Sequence, residues 1–181
     1  MKRDERYFFY CQDFSNLNLL SKFTLSDKYN YKLWTPKITS IVPFGLPLFP
    51  FGIWWLFHYL HVFKNREYCI FLIYEGETLI HRSCVFPGYF RFPFMLKSDL
   101  QIGDTWTHPD YRGKGLASYA IQQILLLKGK SCRKFWYITE SNNYPSIRVI
   151  EKVGFKKIGE GRRKNRFGLR FIGYFEIDKD T

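Results

Sequence analysis

The stretch Thr107-His108-Pro109-Asp110-Tyr111-Arg112-Gly113-Lys114-Gly115-Leu116-Ala117 lies between two segments of different hydrophobic period. Before it, Leu100-Gln101-Ile102-Gly103-Asp104-Thr105-Trp106-Thr107 alternates roughly apolar and polar, the period of a half-buried strand. After it, Ala117, Ala120, Ile121, Ile124 and Leu127 recur at helical spacing, with Lys128 in the last turn and Gly129 as a stop. A strand, a glycine-bearing turn and a helix in that order form an anion site. The first N–H groups of a helix lack internal partners, and the helix dipole is positive at that end. Gly113 and Gly115 let a phosphate approach the backbone, and Arg112 and Lys114 add positive charge.

Spacing narrows the ligand. A nucleotide P-loop needs four residues between its first glycine and Gly-Lys-Ser/Thr, which is absent. A dinucleotide fingerprint needs glycine or alanine where Ser118 stands, and an acid about twenty residues on. The loop instead resembles the acetyl-CoA loop of the GNAT superfamily of N-acetyltransferases, written Gln/Arg-x-x-Gly-x-Gly/Ala and filled here by Arg112, Gly115 and Ala117. A second segment, Asn143-Tyr144-Pro145-Ser146-Ile147-Arg148-Val149-Ile150-Glu151-Lys152-Val153-Gly154-Phe155, is similar to the later half of the same family's site. Its own pattern is helical: Pro145 suits a first turn, Ser146, Val149, Ile150 and Val153 share a face, and Gly154 is a stop. Phe135-Trp136-Tyr137-Ile138-Thr139 before it reads as a strand. The resemblance covers residues 67 to 177, and residues 1–66 form an aromatic-rich region on the acceptor side.

The resemblance implies a single α/β (α+β) domain with a mixed, mostly antiparallel sheet flanked by helices and splayed between the strands at 100 and 135. It implies acetyl-CoA as co-substrate and no metal. The backbone at Trp106 and Thr107 would pair with the pantetheine arm, and the N–H groups of Arg112, Gly113, Lys114, Gly115, Leu116 and Ala117 would bind the pyrophosphate. Asn143 would bond the arm or order the adjacent loop, and Ser146 would assist near the thiol or phosphates. Many members carry a general-acid tyrosine just before Glu-Lys in the second helix. Ile150 stands there, so Tyr144 at the helix start is the substitute candidate.

For the base, alternation places Asp104 on one face with Leu100, Ile102 and Trp106, where desolvation would raise its pKa. The competing reading is a carboxylate paired with Arg82 or Arg91. His81, Asp99, His108 and Glu140 are weaker candidates. No Ser/His/Asp or Cys/His spacing stands out, which favours direct transfer in a ternary complex. The acceptor expected is a primary amine of a small molecule, an amino sugar first, with a protein or peptide N-terminus as the second enzyme reading.

Composition sets the frame. At 181 residues with 46% hydrophobic and 24% charged, the chain supports one globular core. Lys+Arg number 28 against 16 Asp+Glu, a net charge of +12 that favours anionic partners. Aromatics at 20% with that charge keep open an RNA-binding or ribosome-associated module, and the missing tyrosine keeps open a CoA-binding domain without chemistry. Cys11, Cys69, Cys84 and Cys132 form no Cys-x-x-Cys pair, which points to reduced thiols in the cytoplasm. Residues 1–10 are charged and read as no secretory signal.

Ile41 to Phe63 carries no Asp, Glu, Lys or Arg. Pro43, Pro47 and Pro50 break its first half, leaving about a dozen residues of helix, roughly 20 Å against a 30 Å hydrocarbon core. It reads as core and acceptor wall, with an interfacial membrane contact as the minority reading. His58 and His61 are expected to pack or hydrogen-bond and not to bind metal. Elsewhere, Arg6 to Phe14 suggests a first strand and Asn16 to Leu25 a loose helix. Tyr68 to Tyr74 and Thr78 to Val85 form a hairpin through Glu75-Gly76-Glu77. Gly161 to Gly168 reads as a basic loop before a last strand at Leu169 to Ile177.

Overall fold

The computed structural model describes residues 5–13 and 23–178. Eight strands form one sheet, with β1 (Arg6–Asp13), β2 (Tyr29–Trp34), β3 (Cys69–Glu75), β4 (Thr78–Pro87), β5 (Asp99–Thr107), β6 (Lys134–Glu140), β7 (Lys156–Arg166) and β8 (Leu169–Ile177) in chain order. The helices are α1 (Leu48–Tyr59), α2 (Leu116–Lys128) and α3 (Tyr144–Val153). Across the sheet the order is β2-β3-β4-β5-β6-β1-β7-β8. Every neighbouring pair is antiparallel except β5 and β6. The mixed, mostly antiparallel sheet flanked by helices is the fold expected from the sequence.

The sheet separates two apolar layers. On one face, Phe71, Ile73, Val85, Leu100, Ile102 and Phe135 pack under α2 and α3 through Leu116, Ala120, Ile121, Ile124 and Ile150. On the other, Ile70, Leu72, Cys84, Phe86 and Trp136 pack under Phe51 of α1 and under Tyr89, Phe92 and Met95. The strand β3, inside the edge strand β2, is buried on both faces over most of its length, so its sequence is a continuous apolar run and not an alternation. Gly76, at φ 57°, turns β3 into β4.

Local signals set the helix ends near the cleft. Asn143 caps α3, its side-chain oxygen accepting from the Ser146 N–H at 3.3 Å, and Gly154 at φ 104° ends it. Gly115 at φ 79° begins α2, with no side chain capping the first N–H groups.

The structure departs from the sequence reading in places. β2 was not foreseen: Tyr29-Asn30-Tyr31-Lys32-Leu33-Trp34 is an edge strand with a polar, exposed middle, so it shows little hydrophobic period. Residues 161–166 are not a loop but the second half of β7, and only Phe167-Gly168 turns the chain. Their basic side chains tolerate strand structure because that end of the sheet is open to solvent on much of both faces. Of the loose helix expected over Asn16 to Leu25, residues 16–22 lie outside the described residues, and 23–25 are neither helix nor strand.

Candidate active site

The parallel pairing of β5 with β6 runs from Asp99↔Lys134 to Ile102↔Tyr137 and stops there. Both strands continue, β5 to Thr107 and β6 to Glu140, so they part toward their C-terminal ends. A cleft of about 550 Å³ opens at that parting, between the α2 N-terminus and the start of α3. It is lined by Thr105, Trp106, Thr107, Arg112, Gly113, Gly115, Leu116, Ala117, Tyr137, Asn143, Ser146 and Arg148, among others. Two motifs that are thirty residues apart in sequence therefore meet at one site.

Of the residues singled out from the sequence, Trp106, Thr107, Arg112, Gly113, Gly115, Leu116, Ala117, Asn143 and Ser146 line this cleft. Lys114 does not: its Nζ sits 4.6 Å above the Tyr111 ring. Tyr111 is itself anchored by hydrogen bonding to Glu75, and so ties the loop to the end of β3. Tyr144 also lies outside the lining and is 63% exposed on the first turn of α3.

Asp104 is placed by a break in the strand alternation. Arg82 pairs with Trp106 but Cys84 pairs with Gly103, so β5 carries one extra residue there, and Asp104 adopts φ 43°. The bulge turns its carboxylate to the α1 face, away from Leu100 and Ile102. There it accepts hydrogen bonds from Arg82 Nε at 3.1 Å and Nη2 at 3.2 Å. The carboxylate is thus held in a bidentate pair and is not isolated among apolar neighbours. The Arg82 guanidinium lies over the rings of Phe51 and Trp106 at 5.4 and 5.2 Å.

Several lining groups escaped the sequence reading. Arg148 and Lys152, one turn apart on α3, join Arg112 at the cleft, and among the described residues none of the three is in an ion pair. Their i, i+4 spacing was the available signal. The other is Tyr137, the last β6 residue to pair with β5. Burial pushes its phenol pKa up, and hydrogen bonds with the Thr105 and Ser146 side chains oppose that rise. Thr105 Oγ1 lies 3.2 Å from Ser83 Oγ, which lies 3.0 Å from His81 Nε2, and His81 Nδ1 lies 2.8 Å from Thr107 Oγ1. A chain of neutral polar groups thus runs from the cleft into the sheet. His81 is fully buried, and desolvation, helped by the Arg82 charge, lowers its pKa to about 3.

Asp99 and His108, also candidates from the sequence, have structural partners. Asp99 is buried and accepts from Arg133, Trp136 and the Leu96 N–H. His108 caps the short turn at Pro109–Tyr111. His61 contacts Arg66, and among the described residues no cluster is arranged to hold a metal ion.

The donor set fits coenzyme A. At Gly113 and Gly115 an added Cβ meets nothing within 4 Å, so the backbone faces open space, and both positive φ values exclude most side chains. Uncapped N–H groups and three cations that are in no ion pair among the described residues suit a diphosphate. The parted strands leave backbone groups free for an extended amide-bearing arm.

Comparison with known proteins agrees with this geometry. A sequence model of the Acetyltransferase (GNAT) family matches residues 34–155. Among solved structures, a GNAT-family protein from Novosphingobium aromaticivorans superposes with a TM-score of 0.56 at 14% identity, covering 86% of this chain and 61% of the other. A tandem GNAT protein from the clavulanic acid biosynthesis pathway gives 0.57 at 14%, covering 86% and 51%. An acetyltransferase of the GNAT family from Colwellia psychrerythraea gives 0.52 at 16%, covering 86% and 53%. The chain spans about half to three-fifths of the length of these proteins, and at such identities the likeness is one of fold. No curated protein sequence gives a significant match. With the family match spanning two thirds of its length and both halves of the cleft, the chain belongs to the GNAT acetyltransferase family.

Proposed function

We propose that this protein transfers an acetyl group from acetyl-CoA to a primary amine of a small molecule, by direct attack within a ternary complex. The observation that carries the reading is the parting of β5 and β6 beyond Ile102 and Tyr137, at the same end as the uncapped α2 N-terminus. Acetyl-CoA supplies an activated acyl thioester. The N–H groups following Gly113, with Arg112, Arg148 and Lys152, would hold its diphosphate. The free backbone edge from Thr105 to Thr107 would hold the arm.

Tyr137 takes the acid role that Ile150 cannot fill. A phenol is protonated at neutral pH, so Tyr137 can donate to a departing thiolate, with Thr105 and Ser146 orienting the hydroxyl. Asp104 faces the opposite side of the same parting, where the acceptor would approach. Its carboxylate, held by Arg82, would attract and orient the acceptor amine. Trp106 beside Arg82 offers an aromatic and cationic wall that suits a sugar ring, so amino sugars head the acceptor screen. The four unpaired thiols are in keeping with a reducing, cytoplasmic compartment.

Thermal melting with acetyl-CoA tests the first half. A ligand at a hundred times its dissociation constant adds about 2.7 kcal/mol, an easily measured rise. Release of free thiol from acetyl-CoA across an amine panel tests the second. No melting shift with acetyl-CoA or CoA would overturn the proposal.

A further inference from the structure

α1 has no polar face. Inward, Phe51 is buried, while Trp54 and Phe57 meet Phe86, Phe63 and Tyr89. Outward, Phe49, whose backbone is extended and not helical, precedes Ile53, Leu56 and Leu60, which recur at spacings of three and four as one apolar stripe along the helix and its C-terminal cap. The four are exposed by 75%, 40%, 45% and 63%. The preceding loop is tied to the helix by the Trp55 Nε1–H donating to the Lys37 carbonyl at 2.9 Å, and it adds exposed Ile41 and Phe44. So continuous an apolar surface marks a docking face.

Its surroundings say what docks. From Lys28 to Arg66 the chain has five cations and no Asp or Glu. Lys37 lies beside the middle of the helix, its carbonyl accepting from Trp55. Arg66 lies at the C-terminal end, donating to the His58 carbonyl in the last helical turn, and Lys64 nearby donates to the Met95 carbonyl. Beyond the 88–95 loop, the β7–β8 turn repeats the pattern. Phe167 is 90% exposed beside Arg166, whose guanidinium lies over Phe90, and Phe90 in turn meets Phe57 of α1. A second copy would bring like charges together, each chain carrying +12. Nucleic acid would satisfy the cations and leave the stripe in water. An anionic lipid surface satisfies both, with half-buried Trp55 and Tyr59 at headgroup depth.

We infer that this face, α1 with its preceding loop, docks on an anionic lipid bilayer and lies on it without crossing. No helix among the described residues is long and apolar enough to cross. This reading does not depend on the acyl-transfer chemistry.

Co-sedimentation with vesicles of equal parts phosphatidylglycerol and phosphatidylcholine, against phosphatidylcholine alone, tests it. The protein should pellet with the anionic vesicles. Ile53→Asp combined with Leu56→Asp should weaken binding by roughly tenfold or more, with the thermal transition retained because both positions are exposed. Lys64→Gln and Arg66→Gln should each cost about fivefold. Failure of the unaltered protein to bind anionic vesicles would overturn the inference. So would binding unchanged by the two aspartates, which means adsorption by charge alone. A concentration-dependent dimer that those substitutions abolish, without vesicle binding, would show that a second copy covers the face.

Discussion

Mild acid should destabilise this protein through one buried side chain. His81 is fully buried between Thr107 and Ser83, and its pKa falls from the usual 6.5 to about 3. The unfolded chain therefore takes up a proton near neutrality that the folded chain refuses until far lower pH, so stability falls as pH drops below 6.5. At about pH 5 the loss is roughly 2 kcal/mol, and it approaches about 4–5 kcal/mol near pH 3. Most carboxylates are still ionised at about pH 5, which makes the upper part of this window diagnostic for histidine. Urea unfolding of the unaltered protein and of His81→Asn, compared between about pH 7 and pH 5, isolates the term. The gap between the two should narrow by about 2 kcal/mol on acidification, because only the histidine chain loses that increment. Imidazole titration by NMR in the unaltered protein is the companion measurement if His81→Asn folds poorly. Parallel pH dependence of the two chains, or a His81 imidazole that titrates near its usual value, would refute the argument.

Tyr137→Phe removes the phenol facing the cleft; acetyl transfer should fall by roughly a hundredfold or more in kcat while the acetyl-CoA melting shift is retained. Arg148→Gln with Lys152→Gln should weaken acetyl-CoA binding by roughly 1–3 kcal/mol, since two unpaired cations are lost, and calorimetric titration should show the deficit shrinking as salt rises. Arg133→Ala strips the ionic partner from Asp99, whose side chain has no solvent exposure. Urea denaturation should register a loss of about 2–4 kcal/mol, which Asp99→Asn in the same background partly restores.

The parts of this protein that were legible in its sequence are those specified locally. The glycines at 113 and 115, the proline at 145 and the glycine at 154 each require a particular backbone, and the turns and helix ends stand where those residues put them. What was not legible depends on register between distant strands. Near Asp104 only Gly103, a glycine inside a strand pattern, hints at the bulge, and the direction in which it turns the carboxylate is visible only once β5 is laid against β4. Tyr137 looks like one more aromatic in an aromatic strand until pairing with Ile102 sets it at the last rung before the strands part. β2 was hidden for a different reason: an edge strand with exposed lysine needs only one apolar flank, so its pattern is diluted.

β1 lies between β6 and β7, although it comes first in the chain. It bonds Lys134–Glu140 on one side and residues 156–162 on the other. During synthesis this Tyr- and Phe-rich segment leaves the ribosome more than a hundred residues before either neighbour exists. It must wait unpaired, a sticky edge with nothing to join, while β3, β4 and β5 can already form a meander. Among the described strands the hairpin of β7 and β8 pairs with the rest of the sheet through β1, so that pairing must await β1. Assembly of this sheet is therefore expected to end, and not begin, with a strand made before its partners, and shielding that segment should decide the yield of folded chain.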